Sequence, residues 1–440
     1  MALLKVQKIC YAIGLLLLPF SYGVKVILGL SDITWVNPTL LVAAFLFIFS
    51  GFQAEESGGK YLLAWIFISA TIGMYYLPIA EEREKSTMYV AYMEPIRLAL
   101  NISWFWVSVR FLQRYRDFAM RWLAISTLVQ FGIALSLYLA MVGLFSVEGP
   151  VGFYLQIYKV RQAVWFDDFP VYRMAGTYIE SPPFGLFMLC CFVILVLYLQ
   201  DLKEGHKERN LIVWASVGAA FIGVTMSLSD QVLIGLAIFG CSMIMRVPFA
   251  RSRFFKATST VVLIIAVCYA VRQVIFKWQL MSVTAPGDVF AQSASERWFH
   301  MKYAFMSLLE NPASIITGIG PGRYGDYAYR TGMFPSSVGI QVTPVEWIVE
   351  YGVVGLIVLS IWLGNIANKA WARYGWMGIG AFTALMVANA FQANWKWEGW
   401  FLAMAWFCAN SNAQTADKAV LVTSFTRPTL SPTLASPDIP

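Results

Sequence analysis

Long apolar runs, many of them close to membrane-spanning length, divide most of this sequence. An α-helix needs about 20 apolar residues to cross the hydrocarbon core of a bilayer. Of the 440 residues, 59% are hydrophobic and 13% are charged, whereas about a quarter of the residues of a soluble protein are charged. Backbone inside a bilayer must satisfy its own hydrogen bonds, and runs of this length do so as helices. The sequence therefore predicts an all-α, polytopic membrane domain over residues 1–411 and not a soluble protein.

We predict about twelve transmembrane helices, with ten to twelve as the range, because the last run is short and the seventh and eighth runs are nearly continuous. The first run follows a basic start and lacks a small-x-small cleavage site, so we interpret it as a retained helix and not as a signal peptide. Residues 412–440, rich in Ser, Thr, Pro and Ala, are predicted to form a disordered cytoplasmic tail. The predicted spans are approximately 9–30, 37–53, 61–78, 88–112, 122–146, 183–200, 211–229, 231–246, 257–275, 342–364, 376–392 and 398–411.

Lys and Arg residues in the short connections predict the orientation, because cytoplasmic loops carry an excess of them. With both termini in the cytoplasm, every even-numbered connection after the fourth helix is basic. Two long extracytoplasmic segments remain, 147–182 and 276–341, and the larger one joins the ninth and tenth helices. Loops of this length usually carry function. The basic residues that set this orientation are Arg114, Arg116, Arg121, Lys203, Lys207, Arg209, Arg246, Arg251, Arg253, Lys256, Lys369 and Arg373.

Charge and cysteine usage exclude several classes of protein. The formal charge is +7, but the basic residues form no single stripe, so we expect no nucleic acid partner. None of the six cysteines lies at metal-ligand spacing or in the long polar loops, so neither a disulfide framework nor a zinc site is expected. His206 and His300 are the only two histidines, which is too few for a multi-histidine metal site. We expect no metal and no other cofactor.

The first long loop contains one candidate ligand for an anion, Arg173. It precedes Gly176 and the Pro182-Pro183 entry to a helix, so the backbone around it is sharply shaped. An interfacial Arg also serves as a snorkelling anchor for a helix. Arg173 is therefore a candidate both for an anion ligand and for an interfacial anchor.

The second long loop predicts an amphipathic helix over residues 293–310 that lies along the outer surface. Apolar residues recur there at helical spacing after a Ser cap candidate, which is typical of a helix at a membrane interface. Arg297 and His300 lie on this segment. The residues predicted to face lipid or protein are Trp298, Met301 and Phe305.

Four glycines then surround Arg323 in the stretch Thr317-Gly-Ile-Gly-Pro-Gly-Arg-Tyr-Gly-Asp326. A Gly-rich segment brings backbone amides and an Arg fork close to a phosphate. The stretch follows a helix and an Asn-Pro pair, not the strand that a dinucleotide-binding fold requires, so a flexible turn is the alternative. The candidates for a substrate loop are Gly318, Gly320, Gly322, Tyr324 and Gln341.

Glu346 and Glu350 form an i, i+4 pair on one face of the otherwise apolar tenth helix. An acidic residue within a span is a functional candidate by default, because its burial in hydrocarbon is costly. For Glu346, near the outer end, solvation at the interface is the alternative; for the deeper Glu350, it is a bond to a neighbouring helix. The same question is raised by Glu94, Arg97, Asp230 and Arg272, and structural pairing is the preferred interpretation for them.

Taken together, these residues resemble the O-antigen ligase and O-antigen polymerase superfamily of bacterial membrane glycosyltransferases. Four loose motifs match in order over most of the chain, along with the twelve helices and the large outer loop. They are Arg-x-x-Gly before a Pro-bearing helix start at 173–183, Ser-x-Ser at 227–229, Arg297 leading an amphipathic helix to Asn-Pro and Gly-x-Gly-x-Gly at 297–322, and Glu-x-Gly-x-x-Gly at 350–355.

The resemblance implies that a glycan carried on undecaprenyl diphosphate is transferred, with inversion and without a metal, at the periplasmic face of the inner membrane. Arg173 and Arg297 match the family arginines that would hold the donor diphosphate, and Arg forks stabilise a negative leaving group without losing a proton. We therefore expect both side chains to converge on one outward-facing cavity. The expected partners are the lipid-linked oligosaccharide, the bilayer, and a flippase and a chain-length regulator of the same pathway.

Two positions depart from the family pattern. Gln341 replaces the His that ligases and many polymerases place about nine residues before the Glu of Glu-x-Gly, and Asp230 replaces the Arg often found after Ser-x-Ser. Neutral Gln cannot act as a general base. Glu346 and His300 are the catalytic candidates, and Glu346 is preferred because a partly buried carboxylate is a better proton acceptor near neutral pH. Anchoring of the helix end is the alternative role for Glu346.

The sequence thus predicts a polymerase or ligase of a lipid-linked surface polysaccharide, and the missing His favours the polymerase. The alternative is a transporter of a small anion or a polysaccharide precursor that uses the same arginines. Broken helices that meet at mid-membrane in a pseudo-twofold arrangement would favour the transporter. An outer cavity roofed by residues 276–341 would favour the enzyme.

Overall fold

The computed structural model describes residues 2–20, 38–49, 59–76, 87–144, 163–166, 169–178, 181–202, 210–244, 289–310, 312–324, 342–390 and 397–409. In these ranges the chain is helical except for one hairpin and short turns. The helices are α1 (Ala2–Leu17), α2 (Pro38–Phe49), α3 (Gly59–Tyr76), α4 (Thr87–Arg114), α5 (Arg116–Met141), α6 (Ser181–Asp201), α7 (Leu211–Met226), α8 (Asp230–Ile244), α9 (Val289–Glu310), α10 (Ser314–Thr317), α11 (Thr343–Tyr374), α12 (Trp376–Ala390) and α13 (Glu398–Cys408).

The hairpin lies in the first of the two predicted long loops, where the sequence predicts no strand. It pairs β1 (Ala163–Phe166) with β2 (Phe169–Tyr172) in antiparallel register, with Ala163 opposite Tyr172. Two strands of four residues do not change the class of the fold. The predicted helical architecture is confirmed for the described residues.

Three helices in the described ranges are long and apolar enough to cross a membrane, α5, α6 and α11. Membrane character is therefore supported by the length and composition of these helices. The predicted ninth span at 257–275 and the predicted tail at 412–440 lie outside the described residues. Five shorter apolar helices accompany the three long ones, at Thr39–Ile48, Gly59–Met74, Leu211–Met226, Asp230–Ile244 and Trp376–Ala390.

Several helices extend through basic residues that the sequence places in loops. Only Tyr115 separates α4 from α5, and α11 continues past Lys369 and Arg373 to Tyr374. Long basic side chains bury their stems along apolar surface and place their charged ends outside it, so a Lys or Arg does not by itself end a helix. These basic residues therefore predict which side of the membrane a segment lies on, but they do not mark where a helix ends.

Helix α6 occupies the centre of the bundle. Most of its residues are buried, including Phe184, Leu189 and Leu197, as expected for a helix that is apolar on every face. It packs against α5, α7, α8, α12 and α13. Four fully buried tryptophans fill the core on α4, α11 and α13, namely Trp104, Trp362, Trp400 and Trp406.

The bundle has two ends that differ in their contacts. At the first, which we name the charged end, Arg116 at the start of α5 meets Asp201 at the end of α6 and Arg373 near the end of α11. At the opposite end lie the end of α5, the start of α6 and the start of α11. We name it the motif end, because the described parts of the four sequence motifs, at 173–183, 227–229, 297–322 and 350–355, lie there.

Candidate functional site

The Arg173 motif and the Ser-x-Ser motif lie against each other at the motif end. The backbone N–H of Met174 donates to the carbonyl of Met226, 2.9 Å away. A Cβ added to Gly185 would lie 2.5 Å from the Ser227 hydroxyl oxygen, so the start of α6 approaches the turn between α7 and α8 too closely for any side chain. Both motifs therefore belong to one packed junction.

The loop that carries Arg173 is tied to the end of α1, to α5 and to the start of α13. The Thr177 hydroxyl donates to the Pro19 carbonyl, 2.6 Å away, and lies 3.1 Å from the Gln130 side-chain oxygen. Tyr178 packs edge-on against Trp397, with ring centroids 6.4 Å apart. Arg173 itself is half-buried in this fixed backbone, which is the shaped environment that the sequence predicts around it.

The Glu-x-Gly-x-x-Gly motif interrupts helix α11. Gly352 has φ 67° and ψ −175°, a conformation that is essentially restricted to glycine. The interruption lies about 14 Å from the start of a helix about 48 Å long, at 1.5 Å per residue. α11 is therefore a short acidic helix, which carries Glu346 and Glu350, followed by a long apolar one.

The interruption turns three backbone carbonyls toward other parts of the chain. The carbonyl of Val349 accepts the N–H of Ile319 at 2.9 Å, and the carbonyl of Glu350 accepts the N–H of Gly320 at 3.0 Å. The carbonyl of Tyr351 accepts the indole N–H of Trp65 at 3.0 Å. A broken helix leaves carbonyls without partners in the helix, and donors from the glycine stretch and from α3 fill this need.

Gly318 and Gly352 are in mutual backbone contact. Gly318 has φ 76° and ψ 172°, the same restricted region as Gly352. A Cβ on Gly318 would overlap the Glu350 carbonyl, and a Cβ on Gly352 would overlap the Gly318 nitrogen and the Ile316 carbonyl. The two glycine motifs, which the sequence presents as separate features, are two halves of one junction.

Helix α3 supplies a third part of this junction that the sequence reasoning missed. Trp65, Ser69 and Gly73 are four residues apart, so they share one face of α3. The Ser69 hydroxyl lies 2.9 Å from the Thr317 carbonyl and 3.0 Å from the Glu350 carbonyl, and a Cβ on Gly73 would lie 2.5 Å from the Ile319 carbonyl. The signal in the sequence is this stripe of small and polar residues on an apolar helix, which is typical of close helix packing in membranes.

Backbone N–H groups of the glycine stretch donate hydrogen bonds to carbonyls of the protein. The N–H groups of Gly318, Ile319, Gly320 and Arg323 donate to the carbonyls of Ser314, Val349, Glu350 and Gly320 respectively. The stretch is therefore a fixed turn packed on α11. A phosphate role for it rests on the Arg323 side chain, whose stem lies beside Gly320.

Four chemically capable side chains are buried in the elements that meet at this junction. His300 on α9, Arg323 after α10, and Glu346 and Glu350 on α11 are each at most 4% exposed. Burial of charged groups in an apolar bundle is expensive, and such groups are functional candidates by default. We call these four residues the buried polar cluster.

Helix α9 covers the buried polar cluster through a small apolar contact. Ala304 and Leu308 pack with Ile319, Tyr324 and Val349. The Tyr324 hydroxyl donates to the His300 carbonyl, 2.9 Å away. Burial raises the pKa of the Tyr324 hydroxyl above its usual range, so this donor keeps its proton at neutral pH.

The predicted helix at 293–310 is present as part of α9. Its described side chains are buried on one face and exposed on the other. Met301 packs at the edge of the small apolar contact, whereas Phe305 is 43% exposed, in agreement with an apolar face toward lipid. The side chains of Arg297 and Trp298 lie outside the described residues, as does Gln341. The convergence of Arg173 with Arg297 therefore stays a prediction.

Glu346 and Glu350 lie at the boundary between two packed regions. Val345 and Val349 contact the small cluster under α9, and Trp347 and Tyr351 pack in the main core. Successive helix residues are about 100° apart, so the Glu face lies between these two faces. Each carboxylate is therefore within reach of the junction and not directed to lipid.

A chain of contacts links the two junctions at the motif end. The Thr343 hydroxyl donates to the Asn389 carbonyl at the end of α12, 2.9 Å away. Along α12, Ala388 is 3.4 Å from a Cβ placed on Gly235 of α8, and α8 begins directly after the Ser-x-Ser turn. The buried polar cluster and Arg173 thus lie at the same end of the bundle.

The charged end has different contents. One oxygen of Asp201, Oδ2, accepts hydrogen bonds from Arg116, from Arg373 at 2.7 Å and from the Tyr374 hydroxyl at 2.7 Å. Both guanidinium groups lie over the Trp406 ring, 4.5 Å and 5.2 Å from its centroid. Arg373 also donates to the carbonyl of Ala409, beyond the end of α13, where a positive charge is favourable.

Glu94 and Arg97 on α4 form the structural pair that the sequence favours, 3.8 Å apart. The Glu94 stem also packs beside Gly322. Within the described ranges, no group of three or more His, Cys, Asp or Glu side chains has the arrangement of a metal site.

Comparison of the sequence with models of known protein families finds no match, and comparison with curated proteins likewise finds none.

Proposed function

We propose that the chain is a polytopic membrane glycosyltransferase with about twelve transmembrane helices that moves a glycan from undecaprenyl diphosphate to a glycan or lipid acceptor. The reaction takes place at the periplasmic face of the bacterial inner membrane, under the two long loops 147–182 and 276–341, with both termini in the cytoplasm. The product is a surface polysaccharide, and the enzyme is a polymerase or a ligase. A flippase and a chain-length regulator of the same pathway are its expected partners.

One observation carries the proposal, the burial of Arg323, Glu346 and Glu350 in the elements against which α9 packs, along with that of His300 on α9 itself. An arginine suits a diphosphate, and a carboxylate suits the removal of a hydroxyl proton. A purely structural ion pair at this position would be a costly way to stabilise a helix junction, since apolar residues of similar volume often serve better. The sequence motifs of the resembled superfamily fall on the same end of the bundle.

In the proposed reaction, the acceptor oxygen forms a bond to the anomeric carbon as the bond from that carbon to the diphosphate oxygen breaks. The acceptor hydroxyl gives its proton to Glu346. The leaving undecaprenyl diphosphate takes the bonding electron pair, and Arg173, Arg297 and Arg323 stabilise its charge. Attack opposite the leaving group inverts the anomeric centre.

Access to the buried polar cluster requires α9 to move. Its described contacts include the small apolar cluster, the hydrogen bond from Tyr324 to the His300 carbonyl and the edge-on contact of the two rings. Opening of this kind is common for helices and loops over active sites. We propose that α9 is the lid under which the lipid-linked donor enters.

The test is the variant Glu346→Gln, which keeps the shape of the side chain and removes the base. We expect a strain with this variant to keep the protein in the membrane and to lose long-chain surface polysaccharide, with transfer at least about 100-fold slower. Glu310→Gln, an exposed acid on α9, is the matched control and should leave polymer length unchanged. Normal polymer length with Glu346→Gln would remove its role, and the same loss with His300→Gln alone would assign the base to His300.

The interruption of α11 is the observation that favours the alternative, a transporter of a small anion or a polysaccharide precursor, because transporters bind substrates at broken helices. Its position near one end of α11, and the donors from the chain that occupy its carbonyls, favour the enzyme. Reconstituted protein that moves a labelled anion across liposomes, without glycan transfer, would establish the transporter.

A further inference from the structure

We propose that Trp65 and Ser69 on α3 are positioning residues that hold the interruption in α11 and so fix the direction of the short acidic helix with Glu346 and Glu350. The proposal rests on the proposed function, because positioning is defined by the reaction that Glu346 performs. It adds a part of the site that lies about 280 residues away in sequence from the acids it serves.

The contacts that carry this inference reach the backbone of the acidic helix itself. The Ser69 hydroxyl shares its one proton between the carbonyls of Glu350 and Thr317, and the Trp65 indole N–H donates to the carbonyl of Tyr351. The Glu350 and Tyr351 carbonyls belong to the last turn before Gly352. A rotation of that turn would therefore break both hydrogen bonds and move the Glu350 side chain with the backbone.

Ser69 also joins the two other parts of the junction. Its hydroxyl contacts the Thr317 carbonyl as well as the Glu350 carbonyl, so one side chain bridges the glycine stretch and the acidic helix. The indole of Trp65 fits beside Gly355, where a Cβ would lie 2.6 Å from its Nε1. Gly352 permits the interruption, and Gly355 makes room for the residue that holds it.

Neither residue performs proton chemistry near neutral pH, so each acts only through geometry. Glycine at position 352 permits a wide range of backbone angles and does not by itself fix the direction of the short helix. The two donors on α3 act with the N–H groups of Ile319 and Gly320 to fix that direction. Misplacement of a reacting group by about 1 Å is enough to slow a reaction about 100-fold.

The experiment uses the full-length protein in lipid nanodiscs and four variants. Trp65→Phe keeps an aromatic ring and removes the N–H donor. Ser69→Ala removes the hydroxyl, and Ser69→Thr retains it. The matched control is Thr71→Ala on the same helix, whose exposed hydroxyl bonds the Phe67 carbonyl of its own turn.

Two quantities are measured, the hydrogen exchange of residues 316–322 and 349–355, and the rate of glycan transfer against the concentration of lipid-linked donor. We expect Trp65→Phe and Ser69→Ala to raise exchange in these two segments at least about tenfold. They should lower kcat at least about tenfold and change KM by a smaller factor, because two of the three proposed donor arginines, Arg173 and Arg297, lie on other segments of the chain. Ser69→Thr should restore both quantities, and Thr71→Ala should change neither.

Unchanged exchange in Trp65→Phe and Ser69→Ala would show that these side chains do not hold the interruption in α11. Raised exchange with normal kcat, or an equal loss of kcat in Ser69→Thr, would show that the contacts stabilise the fold without positioning the acids. A wild-type protein without transfer activity would overturn the proposed function and the positioning role with it, and the exchange data would still show whether α3 holds the interruption.

Discussion

The charged end and the motif end of the bundle are held together by different kinds of contact. At the charged end, the side chains of Arg116, Asp201 and Arg373 join α5, α6 and α11. At the motif end, Gly318 and Gly352 bring two backbone segments together without side chains. A substitution in the side-chain network removes some contacts and leaves the others in place. A substitution at the glycine contact adds a carbon for which there is no space, so the two backbone segments must separate.

The two ends also use charge differently. The acid at the charged end is partly exposed and has two arginine partners in a network at the surface, which gives modest stability. The acids at the motif end, Glu346 and Glu350, are buried. Stability explains the first arrangement adequately, but the second costs stability and calls for a functional reason.

The largest expected effect comes from placing a side chain at the interruption. Gly352→Ala should cost more than about 3 kcal/mol, because the residue adopts a glycine-only conformation and its Cβ would overlap Gly318 and Ile316. Yield of monodisperse protein and the Tm measure this loss. Gly364→Ala, further along α11 where a Cβ meets open space, is the control and should change stability by less than about 1 kcal/mol. Equal Tm values for both variants would show that the glycine contact does not hold the motif end.

A smaller effect is expected from the charged end, and it separates stability from activity. Asp201→Asn weakens three hydrogen bonds, two of them to arginines, and should cost about 1–3 kcal/mol. Under the proposed function, transfer activity per folded molecule should stay normal, because the proposed site is at the opposite end. Thermal unfolding and activity normalised to folded protein are the measurements, with exposed Arg121→Gln as the control. Lost activity without lost stability would contradict the division between the ends.

The smallest effect is expected at α9, the helix that packs over the motif end. Tyr324→Phe removes the hydrogen bond to the His300 carbonyl, worth about 1 kcal/mol, and should raise exchange in α9 with little change in Tm. Because burial raises the pKa of Tyr324, the neutral hydroxyl contributes its full stability below pH of about 10, and the contribution is lost as the pH rises through the raised pKa. Protection factors of the α9 amides, which correct for the faster intrinsic exchange at high pH, should therefore agree at pH 7 and pH 9 in the wild type. The control is Tyr61→Phe, at an exposed tyrosine, which should leave the exchange of α9 unchanged. A rise in α9 exchange equal to that of Tyr324→Phe would show that the Tyr324 hydrogen bond does not hold α9.

The sequence predicts elements of this protein better than it predicts their contacts. Apolar length locates α5, α6 and α11, because a long apolar run has few alternatives to a helix. The end of α11 was placed near residue 364 because Lys369 and Arg373 indicate a loop. The helix instead continues to Tyr374, since Asp201 and the end of α13 give Arg373 partners within the bundle.

The site was predicted as separate pieces. Gly318 and Glu350 were both identified, but nothing in their spacing indicates that they touch, because the contact depends on the restricted conformations of two glycines at once. Trp65 and Ser69 were not identified, since a Trp and a Ser on an apolar helix have ordinary packing roles. Their four-residue spacing with Gly73 indicates close packing of α3, and only the position of their acceptors shows that α3 packs on the interruption of α11.

The bonds from α3 to the interruption also bear on how such a protein is made. Ser69 and Glu350 are separated by 281 residues, which takes about 15–55 s to synthesise at roughly 5–20 residues per second. For a chain inserted into the bilayer during synthesis, α3 enters long before its acceptors exist. During that interval the Ser69 hydroxyl can turn to its own helix, but the Trp65 N–H needs water or lipid headgroups. Assembly of the motif end is therefore a late event in biogenesis, and truncated chains that stop before α11 will present a helix with exposed polar donors to quality control.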